Sequence, residues 1–574
     1  MSAPASKREL RALRLKDYLI VAAFSFLVNA LLLTGPLYML HVYDRVLTSF
    51  SVPTLIVISL IALVMYITYG FLDGIRLKIM ARTATRFDEE ASKRLFPLAF
   101  RVESDRFSEE QVGMLRNLDT VRNFIQSPIA IAFFDVPYTF FFLAAAWLLH
   151  PWFLYMGLAA LAVSVTLALA NMLWTSARQK PATVKLNAAN RAAEAAFQRP
   201  DAFIAMGMGT NLEKRWRRQH WDGLNQMSAS SSGNIFFTST SKTFRMFVQS
   251  AVLGVGAYLV IHEQLSAGGM IAGSIILGRV MGPFDQVVSS WRNVVEANMA
   301  FQSLQSFAER GMDTKRLEFS KLRGEITVEG VSVAVPGTRT MLLKNINFKL
   351  PAGSCLVISG PNGSGKTTLL KAIAGARHVP AGRVLIDDAD VSHLGPEDRD
   401  QNIGFLAQSI DLMDGTIAEN IARLDPDFDD EAVLTAARKA GAAPFIAQLD
   451  QGYSTPVRSQ EPGFSSGQSV LIGLARAMYR DPSVVILDEP QANLDGLADK
   501  ALIKTVTELK EQKKTIIIAT HKDSSFSLAD YVLLLVDGEQ KVFGPRDEVF
   551  KAAAQRKAQI AQGAAGAPNL KPVP

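Results

Sequence analysis

Residues 360–367 read GPNGSGKT, glycines at fixed spacing followed by a lysine and a threonine. The run matches G-x-x-x-x-G-K-[ST] in full and sits between a strand-like LVIS and a helix-like TLLKAIAG. That context matters, because glycines let successive backbone N–H groups turn inward around phosphate oxygens and the following helix adds a partial positive charge. The phosphate-binding stretch is therefore read as Gly360, Pro361, Asn362, Gly363, Ser364, Gly365, Lys366, Thr367 and Thr368. Lys366 would reach the β and γ phosphates and Thr367 would offer its hydroxyl to Mg²⁺. Downstream, VVILDEP (484–490) is an apolar strand ending in two acids. Asp488 is the natural Mg²⁺ partner, and Glu489, one residue on, is the candidate base for an attacking water. A third apolar run, IIIATH (516–521), ends at His521, read as a sensor of the γ phosphate. The chemistry is ATP hydrolysis with Mg²⁺.

These runs need a sheet to hold them. Between 325 and 550, ITVEG, LVISG, VLIDD, IGFLA, VVILD, TIIIAT and YVLLLVD alternate with helical stretches. Such alternation predicts an α/β domain with a largely parallel central sheet. The lone cysteine, Cys355, falls in one of these strands and reads as packing.

The first half differs in character. The chain has 574 residues, 49% of them hydrophobic, with net charge +6, and the excess apolar residues precede residue 290. Six stretches long enough to cross a bilayer lie at about 18–40, 54–74, 128–149, 151–173, 244–262 and 268–287. Basic residues crowd the segment before the first span and the segments after the second and fourth, whereas Arg45 is the only Lys or Arg in 41–53, 150 and 263–267. By the positive-inside rule the N-terminus, the two long loops and everything after the sixth span are cytoplasmic. The basic balance is thus assigned to cytoplasmic loops and not to nucleic acid. The loops 75–127 and 174–243 read as helices projecting below the membrane, with a globular insertion in each as the alternative. Asn29, Asp135, Asn171 and Arg279 are polar groups within spans, and Asp135 and Arg279 suit either a transport path or a snorkelling span end. No signal peptide precedes the first span, and the tail from 555, rich in Ala, Gly, Pro and Gln, reads as disordered.

With the phosphate loop come IGFLAQ (403–408), FSSGQ (464–468), LDEP (487–490), ANLD (492–495) and the terminal histidine of IIIATH, in that order. The whole of 325–550 resembles the nucleotide-binding domain of ABC transporters. The resemblance implies that Gln408 touches Mg²⁺ and reports nucleotide state, and that Asp495 organises a dimer interface. It also implies that Ser465, Ser466, Gly467 and Gln468 meet the γ phosphate of a partner subunit's ATP, with two ATP molecules held between two such domains. One chain then carries one domain and six spans, a half-transporter that must homodimerise. In the membrane half, GPLYMLHVYDRVLTS (35–49) and GRVMGPFDQVVSSWRN (278–293), together with LMDGTIAENIARL (412–424), are similar to type I secretion ABC transporters of the protease- and lipase-exporting branch. That implies a multi-pass protein of the bacterial inner membrane, a periplasmic adaptor, an outer-membrane channel and an unfolded secreted protein with a C-terminal signal. A lipid or drug half-exporter on the same scaffold is the alternative. The expected fold is an all-α six-helix transmembrane exporter domain (17–310) followed by an α/β P-loop ABC nucleotide-binding domain (322–552). A short cytoplasmic head (1–16), too short for a peptidase-like domain, precedes them, and the tail (555–574) follows.

Three departures stand out. Val333 and Val335 occupy VSVAVPGT (331–338), where many ABC domains place an aromatic under adenine. VRSQEPG (457–463) lacks the usual glycine-and-acid run before the signature, which bears on coupling to the membrane helices. Ser469-Val470-Leu471 follows the signature where polar residues are usual, and is expected to make the helix surface more apolar while leaving the phosphate contacts intact. Because aromatic stacking on a base contributes on the order of 1–3 kcal/mol, hydrolysis should discriminate weakly between ATP and GTP. Comparing kcat/KM for the two nucleotides checks this, and a strong ATP preference would refute it.

Overall fold

The structure is a computed structural model that describes residues 15–99, 109–197, 200–310, 322–335, 338, 340–458, 463–491 and 496–551. It divides into two compact units that meet in the chain at Met312 and Asp313. Asp495, residues 459–462, the expected tail at 555–574 and nearly all of the expected head lie outside the described residues.

The first unit is helical. Six helical stretches are long and apolar enough to span: Lys16–Ser49, Val52–Ala99, Pro128–Leu149, Pro151–Phe197, Gly209–Ile261 and Ala267–Glu309. The helices Val52–Ala99, Pro151–Phe197, Gly209–Ile261 and Ala267–Arg310 hold 48, 47, 53 and 44 residues. At 1.5 Å per residue, each is about twice the ~30 Å hydrocarbon thickness. Residues 75–99, 174–197 and 209–243 of the long loops are therefore helical continuations of the spans, and Glu109–Ile125 is a separate helix.

The first and third spans are broken. In the first, Leu15–Leu31 gives way at residues 32–33 to Thr34–His41, a wide π turn at Val42–Val46 and a last turn at Leu47–Ser49. In the third, Pro128–Asp135 passes through a 3-10 turn, Val136–Tyr138, into Thr139–Leu149. Pro137, which has no N–H to donate, lies in that turn. An ion cluster braces the break: Arg76 donates to Asp135 at 2.8 Å, to Asp73 at 2.6 Å and to Ser25 at 3.1 Å, and Asn29 donates to Asp135 at 2.8 Å. Asp135, on the third span, is thus bonded to residues of the first and second spans and is not a free span end. Asn171 is fully buried and donates to the Val288 carbonyl at 2.8 Å. Arg279 is exposed on the single chain and makes no ion pair among the described residues.

The second unit holds twelve strands among the described residues: β1 (Ile326–Ala334), β2 (Met341–Leu350), β3 (Cys355–Ser359), β4 (Ala381–Ile386), β5 (Ala389–Asp390), β6 (Ile403–Leu406), β7 (Gly415–Thr416), β8 (Pro456–Val457), β9 (Val484–Asp488), β10 (Thr515–Ala519), β11 (Tyr531–Val536) and β12 (Glu539–Pro545). Ten form one sheet in the order β5-β4-β1-β2-β12-β11-β3-β10-β9-β6. Only part of it is parallel. β11, β3, β10, β9 and β6 run parallel, while β5-β4-β1-β2 is an antiparallel wing and β11 and β12 form an antiparallel pair. The sequence expectation of a largely parallel sheet is corrected here. β2 and β12 mix charged and apolar residues, as befits half-exposed antiparallel strands, and escape a search for continuous apolar runs. β3, β9 and β10 are such runs because both faces are covered: Val357, Val485, Leu487 and Ile518 face one core, and Leu356, Ile358, Ile486 and Ile517 the other. Cys355 is completely buried in β3, and burial pushes its thiol up to about 12.

Asp481, in the turn before β9, accepts from Lys439 at 2.9 Å and Lys514 at 2.8 Å. Burial alone would raise its carboxyl, but the two ammonium groups outweigh that and hold it down at about 2, below the ordinary 3.8. A depressed carboxyl stabilises the fold above its unfolded pKa, and the contribution is lost as pH falls through the folded value. Since the carboxylate is nearly half exposed, solvent screening reduces this to about 1 kcal/mol. Asp481→Asn should lower the melting temperature of the full chain at neutral pH by a few degrees. In melts at stepped pH, the gap to the parent should close as pH falls from 3.8 toward about 2.

Candidate functional site

Four parallel strands end side by side. Ala519 of β10 pairs with Ile358 of β3 and with Asp488 of β9, and Leu406 of β6 pairs with Leu487 of β9. The residues that follow these ends are Gly360, Thr520 and His521, Glu489, and Gln408. Register alone therefore collects the phosphate loop, LDEP, IIIATH and IGFLAQ onto one edge, the carboxyl edge of an open sheet where ligands bind.

At that edge Gly360, Gly363 and Gly365 have φ of 155°, 80° and 98°. A Cβ on Gly360 would meet the Leu535 carbonyl oxygen at 2.0 Å, and one on Gly365 the Leu342 carbonyl oxygen at 2.9 Å. Around Gly363 there is open space. The first and third glycines thus fold the loop against the sheet, and the second turns backbone toward solvent. Lys366 opens the helix Lys366–Ile373 and is nearly fully buried, its ammonium donating to the carbonyls of Gly360 at 2.9 Å and Pro361 at 3.2 Å. Burial lowers the Lys366 pKa, and the charges of Glu489 and Asp488 oppose that fall. Ser364 is buried with a hydroxyl that finds no partner among the described residues. An orphaned hydroxyl, a helix N-terminus, a lysine and an open glycine turn fit a polyphosphate.

Thr367 donates its hydroxyl to Asp488 at 3.2 Å. Burial raises the Asp488 carboxyl and the neighbouring Glu489 charge adds to it, while the Thr367 hydrogen bond opposes both. An oxygen pair of this kind, beside a phosphate loop, fits a shared Mg²⁺. Glu489 sits at φ 47° and its N–H donates to the Ala519 carbonyl at 2.9 Å, so the chain bends sharply on leaving β9. That bend carries its carboxylate away from Asp488 and toward other groups. Gln408 donates to one oxygen at 2.9 Å, and His521 Nε2 lies 3.0 Å from the other. The same Nε2 lies 2.9 Å from Lys366 Nζ. One ring nitrogen either donates to Glu489 or accepts from Lys366, so the His521 tautomer chooses between base and phosphate-loop lysine. Gln408 is expected from sequence on Mg²⁺, but here its amide is engaged by Glu489.

Two positioning residues escape sequence inspection. Gln491 is buried and accepts from Ser525 at 3.1 Å and Thr520 at 3.5 Å, and the Thr520 hydroxyl accepts from the Lys522 N–H at 3.0 Å. They clamp the segment that presents His521. Their signal is only that polar residues interrupt apolar flanks.

Ser465 caps the helix Ser466–Met478: its Oγ accepts from the Gln468 N–H at 3.2 Å, and the Gln468 side chain accepts from the Ser465 N–H at 2.9 Å. This is a reciprocal capping box. Ser466 is exposed, and a Cβ on Gly467 would meet nothing closer than Ser465 Oγ at 4.0 Å. Packing within one chain does not require that glycine. No hydrogen bond or ion pair among the described residues joins Ser465–Gln468 to the phosphate loop. The expectation about Val470 and Leu471 is corrected. Val470 is buried and Leu471 packs against the same core, so these residues fill the helix underside and do not add to its surface. Val333 is also buried, paired with Leu343, which leaves Val335 as the apolar contact open to a base. Arg377 donates to the adjoining Ala334 carbonyl at 3.4 Å.

A membrane unit of six long helices joined to a sheet with this edge is the architecture of an ABC exporter. Residues 343–492 match the family described as ABC transporter, and residues 18–284 match the ABC transporter transmembrane region. The Type I secretion system ATP-binding protein PrsD of Rhizobium meliloti (strain 1021) is 33% identical over 556 residues, covering 95% of this chain and 94% of PrsD. The Leukotoxin export ATP-binding protein LtxB of Aggregatibacter actinomycetemcomitans is 27% identical over 93% of this chain and 76% of its own length. A solved bacterial Atm1-family ABC exporter with ATP bound superposes with a TM-score of 0.82 at 17% identity, covering 97% of this chain and 99% of that one, a likeness of fold. The chain belongs to the ABC transporters, among the type I secretion half-transporters. It is a multi-pass membrane protein that binds ATP and couples its hydrolysis to transport.

Glu489→Gln keeps the hydrogen-bonding shape but removes the base. ATPase activity of the purified full chain should fall at least about 100-fold, while ATP affinity stays within a few-fold of the parent; equal loss of both would refute the assignment.

Proposed function

We propose that two copies of this chain form the energising pump of a type I secretion system in the bacterial inner membrane, with both ATP-binding units cytoplasmic. The observation that carries the reading is the strand-end cluster in a chain that aligns along nearly its whole length with PrsD, a type I secretion system ATP-binding protein. On this reading residues 17–310 form the transport path and residues 322–552 the motor, flanked by the head (1–16) and the tail (555–574). Its cargo is an unfolded protein with a C-terminal signal, passed in one step through a periplasmic adaptor and an outer-membrane channel.

In the motor, Gly360–Thr368 wraps the triphosphate and Lys366 moves from its carbonyl partners onto the β and γ oxygens. Mg²⁺, when bound, would be held by Thr367 and Asp488, with Gln408 joining them on release from Glu489, and would neutralise charge on the phosphates. Glu489, oriented by His521, takes the proton of the attacking water. Ser465, Ser466, Gly467 and Gln468 present a capped helix end to the γ phosphate held by the other copy, and Asp495 lies at that interface. The unfilled space over Gly467 supports this, since a second chain has room to approach there.

Ser465→Arg places a bulky cation at the helix end and should abolish ATPase activity of the homodimer. A mixed dimer of Ser465→Arg with Lys366→Ala should keep one intact composite site. Activity in the Ser465→Arg homodimer would sink the partner-site assignment. Pull-down of the detergent-solubilised chain should recover an adaptor protein; a chain that transports amphiphiles without one would support a lipid or drug exporter.

A further inference from the structure

The broken first span and the start of the second enclose a cavity of about 290 Å³. Its walls are Thr34, Leu37, Tyr38, His41 and Arg45 on one side and Thr54, Ile58, Ile61, Ala62 and Met65 on the other. Two contacts pin the walls together. The Tyr38 hydroxyl lies 3.0 Å from Ser59 Oγ, and Thr34 donates its hydroxyl to the Met65 sulfur at 3.7 Å. The lining is graded. His41, Arg45 and Thr54 stand at the end where the two spans connect, and Leu37, Ile58, Ile61, Ala62 and Met65 line the deeper part. Eleven residues separate Thr54 from Met65, about 16 Å along a helix.

Arg45 is the anomaly. It is the only Lys or Arg in the segments assigned to the outer side, where the topology signal otherwise excludes basic residues. Its neighbour Asp44 forms no ion pair with it and instead accepts from Ser266 Oγ at 2.6 Å and from the Gly268 N–H at 2.8 Å. Arg45 is exposed and makes no ion pair among the described residues. The π turn at Val42–Val46 puts it on the cavity side. A guanidinium with an imidazole beside it, above an apolar cleft open to a bilayer, complements a phosphate joined to an acyl chain. At this size, near the lower limit of small-ligand sites, the cleft takes a headgroup and part of one chain.

We propose that this cleft holds one anionic phospholipid of the outer leaflet, its phosphate on Arg45 and His41 and an acyl chain along Leu37, Ile58, Ile61 and Met65. The lipid is a resident ligand that fills the break in the first span, distinct from any transported molecule. The proposal uses the membrane orientation set by the loop charges and is independent of the cargo.

The test is lipid retention by the purified full chain, read by native mass spectrometry and by melting in detergent with added phosphatidylglycerol or phosphatidylcholine. Phosphatidylglycerol should be retained and should raise the melting temperature more than phosphatidylcholine. Arg45→Ala should weaken that preference about fivefold, Arg45→Lys should keep part of it, and Ile61→Trp, which fills the cleft, should remove the lipid. ATPase activity serves as the folding control for each variant. Equal response to the two lipids, or undiminished phosphatidylglycerol on Arg45→Ala, overturns the proposal. Light scattering decides the other occupant: if Arg45→Ala in lipid-free detergent turns dimer into monomer, a second copy of the chain covers the cleft and the lipid assignment fails.

Discussion

The parallel register of β3, β10, β9 and β6 is the constraint on which the catalytic chemistry rests. Because Ile358, Ala519 and Asp488 lie at one level and Leu406 beside Leu487 one residue below, the turns that follow are forced into a common space. A slip of one residue in any strand would reverse which face its side chains present and would move a reactive group away from the edge. These strands are packed between two apolar cores, with Asp488 and Thr515 the polar residues among the buried positions of β3, β9 and β10. The stability of the core and the placement of the site are therefore one physical fact.

Around that edge the polar groups form a continuous chain of contacts. Lys366 is held by loop carbonyls, His521 lies between Lys366 and Glu489, and Glu489 is bonded to Gln408. Each of these contacts uses an atom that phosphate, Mg²⁺ or water would claim. Nucleotide binding must therefore rearrange these contacts, including the one that Gln408, two residues past the end of β6, makes with Glu489. The single ring nitrogen of His521 makes this an either-or exchange, since it cannot serve the lysine and the carboxylate with the same proton.

The membrane unit uses charge differently. Arg76, Asp73 and Asp135 are drawn together within apolar surroundings, with Ser25 also accepting from Arg76 and Asn29 also donating to Asp135. Removing one partner of such a cluster leaves an uncompensated charge, which is why it fixes three spans at the point where Pro137 weakens the third helix. The C-terminal end of the first span is fixed in a second way, by Asp44 capping the start of the sixth span.

The sequence by itself determined the six spans and the phosphate loop, and it put Asp488 and Glu489 at the end of a buried strand. Those features depend on local order: an apolar run of bilayer length, glycines at fixed intervals, an acid one place past a strand. Tertiary structure alone decided what depends on distant residues. Asp135 looked like a lone acid until Arg76, 59 positions earlier, was placed beside it. Val470 and Leu471 looked like an altered surface until the helix packed them inward. β2 and β12 stayed hidden because half-exposed antiparallel strands carry charges that break an apolar run. Gln408 carries no local mark of its bond to Glu489, 81 residues on, because only the pairing of β6 with β9 makes them neighbours.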